Sequence, residues 1–185
     1  MDHLSDADTS LQRAINETVT IVPYDPAWPA RFERERARLA ALFLQRLPSL
    51  VLEHIGSTAV PGMPAKPIID CMAAVPSMEA ADRLVEQLCL HGYTTSAAFN
   101  RSLGDRRWLM RHAAGRRTHH LHLVLADGPH LADALRFRDA LRRDERLAHA
   151  YAELKHELAR TLAADREAYT AAKTAFIAVA LRDAD

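Results

Sequence analysis

Glu53-His54-Ile55-Gly56-Ser57-Thr58-Ala59-Val60-Pro61-Gly62, followed shortly by Ala65-Lys66-Pro67-Ile68-Ile69-Asp70-Cys71-Met72, is the stretch that decides how this chain folds. Val51 to Ile55 reads as a strand that stops at Gly56-Ser57. Pro61, Gly62, Pro64 and Pro67 then rule out a long helix over Thr58 to Pro67 and predict an ordered loop or broken turn. Pro67 to Val75 is apolar on both alternating faces, as a central strand covered on both sides should be. Asp70 interrupts that run, and a carboxylate there is costly unless it is paired, hydrogen-bonded or bound to metal. A Gly-Ser step at a strand end lets backbone amides approach an anion, and the hydroxyl adds a donor. Such a step alone is more often an ordinary turn, and Asp70 alone could be a structural acceptor. Lys66 and the Gly56-Ser57 turn lie close in sequence, which favours function for all four.

Outward from this stretch, the pattern predicts an α/β (α+β) fold. Upstream, Asp25-Pro26 reads as a helix start, and Trp28, Phe32, Leu39, Leu42 and Phe43 recur at helical spacing up to Pro48. Arg31, Glu35 and Arg38 are expected to lie mainly outward. Residues 1–17 have little periodicity and read as a flexible leader, so the domain is expected over 18–182. Downstream, Glu79 to His91 is a helix stopped by Gly92. Tyr93 to Phe99 and Arg107 to Arg111 are weaker strands, separated by a polar loop with Asn100, Gly104 and Asp105. Thr118 to Leu125 is a strong strand that turns at Asp127-Gly128-Pro129. Three helices follow, over about 129–143, 144–162 and 165–181. Leu147, Tyr151, Leu154 and Leu158 form one buried stripe, and Tyr169, Ala172, Phe176 and Val179 another. The result is a mixed sheet with flanking helices and a helical C-terminal cover.

Composition narrows the functions. Lys plus Arg equals Asp plus Glu, at 24 each in 185 residues, so no net field attracts nucleic acid or an anionic membrane. Nucleic acid and membrane are therefore not expected as partners. Cys71 and Cys89 lie in apolar runs and read as core residues of a reducing compartment. With no span-length apolar stretch and no basic region preceding an apolar run, the expected location is cytoplasmic.

A second constellation is Thr118-His119-His120-Leu121-His122-Leu123-Val124-Leu125. Period two puts His119, Leu121, Leu123 and Leu125 on one face and His120, His122 and Val124 on the other. Two imidazoles on one strand face can bind a divalent metal or clamp a phosphate, or be a hydrogen-bonded pair with no ligand. Together with Asp70 on a neighbouring strand they predict a shared site: Asp70, His120 and His122 as catalytic and metal-ligating residues. Arg107 and Arg111, among several arginines before the histidine strand, are candidates to hold phosphate with Gly56, Ser57 and Lys66. His54 either points into the same cleft or is a buried structural histidine. Arg138, Lys155, Tyr169 and Lys173 could reach the cleft rim, or simply face solvent.

These segments, with Val22-Pro23-Tyr24-Asp25-Pro26-Ala27-Trp28, Phe137-Arg138-Asp139 and Tyr169-Thr170-Ala171-Ala172-Lys173, resemble the GrpB family in order, over roughly Thr18 to Leu181. The resemblance implies a nucleotidyltransferase-like fold, in a family whose domain is also found fused to dephospho-CoA kinase. The superfamily pattern implies Gly-Ser for triphosphate contact, then two carboxylates one residue apart on a strand and a third on a later strand, holding two magnesium ions. Here Gly56, Ser57 and Asp70 match, but Met72 stands at the second carboxylate position and His120 and His122 where the third acid is expected. Imidazole nitrogen favours manganese or another transition metal over magnesium as the divalent cofactor. The resemblance thus implies binding of a nucleotide, as substrate or ligand, or of another phosphorylated small molecule. Three activities follow: nucleotidyl or phosphoryl transfer by a transferase, a catalytically inactive binding or regulatory module, or metal-dependent phosphoester hydrolysis.

Overall fold

The computed structural model describes residues 19–44, 51–163 and 165–183. The expected leader over 1–17 and the helix stop at Pro48 lie outside the described residues. In chain order the elements are α1 (Trp28–Leu44), β1 (Leu52–Ile55), a 3-10 turn (Ser57–Ala59), β2 (Ile69–Val75), α2 (Met78–Leu90), β3 (Tyr93–Thr94), α3 (Ala97–Ser102), β4 (Arg106–Ala113), β5 (Arg116–Leu125), α4 (Pro129–Arg143), α5 (Glu145–Thr161) and α6 (Arg166–Asp183).

The strands form one mixed sheet in the order β1-β2-β5-β4-β3. β2 and β5 run parallel at its centre, and the other neighbours are antiparallel. Alternation sorts their side chains. Cys71, Ala73, Leu109, Leu121 and Leu123 join Trp28, Phe32 and Leu39 of α1 and Leu84 and Leu88 of α2 in the main core. On the opposite face Ile55, Met72 and Val124 pack under Leu131, Ala134 and Leu135 of α4. Phe137, Leu141, Tyr151 and Ala180 carry that packing into α5 and α6. The sheet is therefore covered on both faces, as the apolar run of β2 requires.

Local chemistry sets the helix ends. Ser77 Oγ accepts from the Ala80 amide to open α2, and Asp144 accepts from the amides of Arg146 and Leu147 to open α5. The first helix begins two residues later than Asp25-Pro26 suggests: Asp25 Oδ1 takes the Ala27 amide at 2.9 Å in a turn, and α1 starts at Trp28.

Three expectations are corrected. Tyr93 to Phe99 is not one strand, because Ser96 caps the Phe99 amide and starts the short helix α3. Asn100, expected in a polar loop, is buried in α3; its Oδ1 accepts the Trp108 amide while its Nδ2 donates to Thr95. In α6, Val179 is exposed and Ala180 takes the buried place.

Glu35 also departs from expectation. It shares the inward stripe of α1 with Phe32 and Leu39 and is only 2 % exposed. It accepts from Tyr93 Oη at 2.8 Å, from Arg38 and from Arg111 of β4, tying α1 to the far edge of the sheet. Burial pushes its pKa up, but the bonds from Arg38 and Tyr93 outweigh this and hold it below the ordinary value. Glu35→Gln should lower stability by about 3 kcal/mol at neutral pH, because charged donors lose their acceptor. A carboxylate with a depressed folded pKa stabilises above its unfolded value and stops doing so as pH falls through the folded one. Urea melts should therefore show the gap between wild type and variant closing in acid; equal stability at neutral pH would contradict this role.

Candidate functional site

Asp70 occupies the middle of the site because β2 is the second strand of five. Its Cα pairs with Ile55 of β1 on one side and His120 of β5 on the other. Its Oδ1 accepts from His120 Nδ1 at 2.9 Å. A carboxylate can only accept, so Nδ1 carries the proton. Arg117 stands 3.5 Å from the other ring nitrogen, Nε2. Burial works against the Asp70 charge, but the His120 bond and the fields of His120, His122 and Lys173 prevail and bring its pKa down to about 2.

Gly56 backs the other carboxylate oxygen. Its φ is +71°, and a Cβ at this position would sit 2.7 Å from Asp70 Oδ2. Conformation and close approach both demand glycine here. The 3-10 turn that follows is held from outside the cleft. Arg142 donates twice to the Ala59 carbonyl, at 3.0 and 2.7 Å, and Arg138 donates to the His54 carbonyl at 3.0 Å. His54 is structural: its Nε2 lies 3.0 Å from Thr58 Oγ1, and its ring stacks on Phe32. Burial pushes its pKa down to about 4.

Beside this turn lies a small cleft of about 40 Å³, lined among others by Ser57, Lys66, Asp70, Lys155, Tyr169 and Lys173. A bridge between Val22 and Ala65 fixes the segment that brings Lys66. The other two lysines come from α5 and α6, each one turn beyond a tyrosine. Lys155 Nζ lies 4.9 Å from the Tyr151 ring centre, and Lys66 and Lys173 lie 4.3 and 5.4 Å from that of Tyr169. Lys155 is 1 % exposed. It donates to Ser57 Oγ at 3.1 Å and to the Pro64 carbonyl, and among the described residues it has no carboxylate partner. Burial and the charge of Lys173 push its pKa down to about 7. For Lys173 burial works the same way, but Tyr151, Tyr169 and Asp70 raise its pKa above the ordinary value.

The structure thus brings Gly56, Ser57, Lys66 and Asp70 together, with His120 bonded to Asp70. His122 sits one step along the same face, paired across the strands with Met72 and Trp108. Burial lowers its pKa to about 4, so it is neutral at neutral pH. Arg107 and Arg111 are elsewhere. Their positions in β4 share the alternation of Leu109 and turn toward α1 and α2, where Arg107 pairs with Asp82 and Arg111 with Glu35. Lys155 and Lys173 also line this cleft, and each lies four positions after a stripe tyrosine, Tyr151 or Tyr169.

Among the described residues no three histidine, cysteine or acidic side chains gather as ligands. Asp70 and His120 spend their facing atoms on each other. Glu53, cross-strand from Met72, could replace the missing second carboxylate, but it is paired with Arg138 at 3.2 Å.

Comparison with known proteins decides the kinship. The family described as GrpB protein matches residues 18–183. The chain belongs to the GrpB family. UPF0157 protein PA4798 of Pseudomonas aeruginosa is 39% identical over 170 residues, covering 89% of this chain and 67% of that protein. UPF0157 protein YqkA of Bacillus subtilis is 37% identical over 141 residues, covering 76% of this chain; the match spans only 40% of YqkA. A dephospho-CoA kinase of Mycolicibacterium paratuberculosis is 42% identical over 87 residues, covering 45% of this chain and 21% of the kinase. The crystal structure of the conserved protein GrpB from Enterococcus faecalis superposes with a TM-score of 0.76 at 34% identity, covering 89% of this chain and 96% of that one. Cid1, solved with its short product ApU, matches with a TM-score of 0.51 at 14% identity over 85% of this chain and 48% of its own, a likeness of fold alone. The fold of this GrpB protein is nucleotidyltransferase-like. No helix among the described residues is long and apolar enough to cross a membrane.

Gly62 offers a control for Gly56, since its φ is +76° but a Cβ there meets nothing within 4 Å. Gly62→Ala should cost about 1 kcal/mol, the strain of a left-handed alanine. Gly56→Ala should cost clearly more, because it also displaces Asp70. Denaturant melts giving equal losses would mean that the turn does not press on the carboxylate.

Proposed function

We propose that this GrpB protein binds a nucleotide, or a similarly phosphorylated small molecule, by seating its terminal phosphates in the lysine cleft. The observation that carries the reading is Lys155, an ammonium buried beside a second ammonium and, among the described residues, bonded to neutral oxygens alone. Such a group is costly to keep charged without an anion. A phosphate among Ser57 Oγ, Lys66, Lys155 and Lys173 removes that cost. The cavity volume suits a phosphate group and leaves the rest of the ligand outside it. Cid1, of similar fold, was solved with its short product ApU, which supports nucleotides as the ligand class.

In this reading the lysines neutralise the phosphates, and Met72 in place of a carboxylate favours binding without a two-metal centre. Group transfer is the second reading, favoured by the ionised Asp70 at the edge of the cleft. Asp70→Asn separates the two. Without metal the Asp70 charge repels a phosphate, so the variant should bind ATP more tightly, by about tenfold. If Asp70 instead bridges through a divalent ion, the variant should bind more weakly in manganese and lose turnover. Calorimetric titration of both proteins with ATP, with EDTA and with manganese, reads the sign directly.

Lys155 also gives a pH signature. Its folded pKa lies below the ordinary lysine value, so the unfolded chain holds more protons between about pH 7 and the unfolded lysine value, and stability rises with pH across that window. An anion raises the pKa, so ATP binding should draw in protons at about pH 8. Calorimetry in buffers of different ionisation enthalpy should detect this uptake in wild type and lose most of it in Lys155→Met. Equal uptake in both proteins would remove Lys155 from the phosphate site.

A further inference from the structure

On the face that carries Asp70, the helical cover stops short of the sheet's far side. α4 packs on β1, β2 and β5. Beyond it stands Trp108 of β4, half-buried, with its ring centre 5.3 Å from that of His120. Phe99 of α3 meets Trp108 edge to face at 5.6 Å and is 43 % exposed. Trp108 is held rigidly although β3 ends before reaching it. Asn100 Oδ1 accepts its amide at 2.9 Å, and Thr95 Oγ1 donates to its carbonyl at 2.5 Å. Two side chains thus replace the missing strand at this one residue, and the helix bearing Phe99 is locked beside it.

We infer that Phe99 and Trp108 form a stacking wall for the base of a nucleoside whose phosphates reach the lysine cleft. The inference rests on the phosphate reading of that cleft and names the part of the ligand that lies outside it. Three neighbouring strands order the path: Asp70 on β2 beside the cleft, His120 on β5, Trp108 on β4. Trp108 lies two strands from Asp70 and one alternation step along, across from His122, so the two are about 12 Å apart, a span suited to an extended nucleotide. A sugar between them would lie over His120 and the neutral His122, which can donate to or accept from its hydroxyls. An aromatic wall accepts every base by its π-face, so stacking here selects a nucleoside without selecting one base strongly.

The test uses phosphate-free probes on the full chain. Trp28 is fully buried, so quenching of tryptophan fluorescence by a nucleoside reports Trp108. Adenosine, guanosine, cytidine and uridine should each quench wild type saturably. Phe99→Ala, a change at an exposed ring, should weaken that binding about tenfold. Trp108→Phe should keep nucleoside binding in calorimetry while losing the quench. Pyrophosphate, followed by thermal shift, reports the lysine cleft separately. Stabilisation by pyrophosphate with no saturable nucleoside quench, or an unchanged affinity in Phe99→Ala, overturns the stacking wall and leaves the phosphate cleft standing. Saturable quench without any response to pyrophosphate sinks the cleft reading, and with it the assignment of the wall to a nucleotide.

Discussion

A carboxylate in the second strand of a five-stranded sheet has to be answered by its neighbours, and much of the site can be read as the answer to Asp70. His120 meets one oxygen because β2 and β5 are parallel and in register at this pair. Gly56 meets the other because the chain leaves β1 in a left-handed conformation that no larger residue could hold so close. Arg138 and Arg142 then brace the turn from α4, so its geometry is fixed by bonds that the cleft itself does not use. The field of Lys173 completes the set and links the sheet to the last helix.

The cations of the cleft exceed what Asp70 needs. Among the described residues Asp70 is the one carboxylate lining the cleft beside Lys155 and Lys173, and there Lys155 bonds to Ser57 and a backbone carbonyl. Their packing against Tyr151 and Tyr169 offsets part of the cost through the ring faces. What remains is an anion-sized space with converging ammonium groups and a hydroxyl. A fold of nucleotidyltransferase type with Met72 and two histidines where acids would stand has thus shifted its positive charge from bound ions to its own lysines, on the proposed reading.

Much of this was legible in the sequence, and the failures share a cause. The apolar run around Asp70 and the Gly-Ser step located the strand, the turn and their adjacency, because burial and φ constraints act locally. Period two puts His120 and His122 on one face, but that Asp70 shares it depends on how β2 and β5 pair. Arg107 and Arg111 of β4 share the alternation of Leu109, which turns them to the face opposite His120 and His122. Glu35 was read as outward because a carboxylate on a helix is usually solvated. Its partners Tyr93 and Arg111 are far away in sequence, so nothing near α1 announced them. Lys155 and Lys173 cannot be assigned from sequence alone, since a lysine on an apolar stripe reveals its burial only when the facing helix and turn are placed.

The most direct measurement is a crystal structure of the protein grown with pyrophosphate. The account predicts an anion in the cleft, within hydrogen-bond distance of Ser57 Oγ and the ammonium groups of Lys155 and Lys173, with the Asp70–His120 bond intact. An empty cleft at saturating pyrophosphate, or an anion bound at another surface while Lys155 keeps its bonds to Ser57 and Pro64, would contradict it.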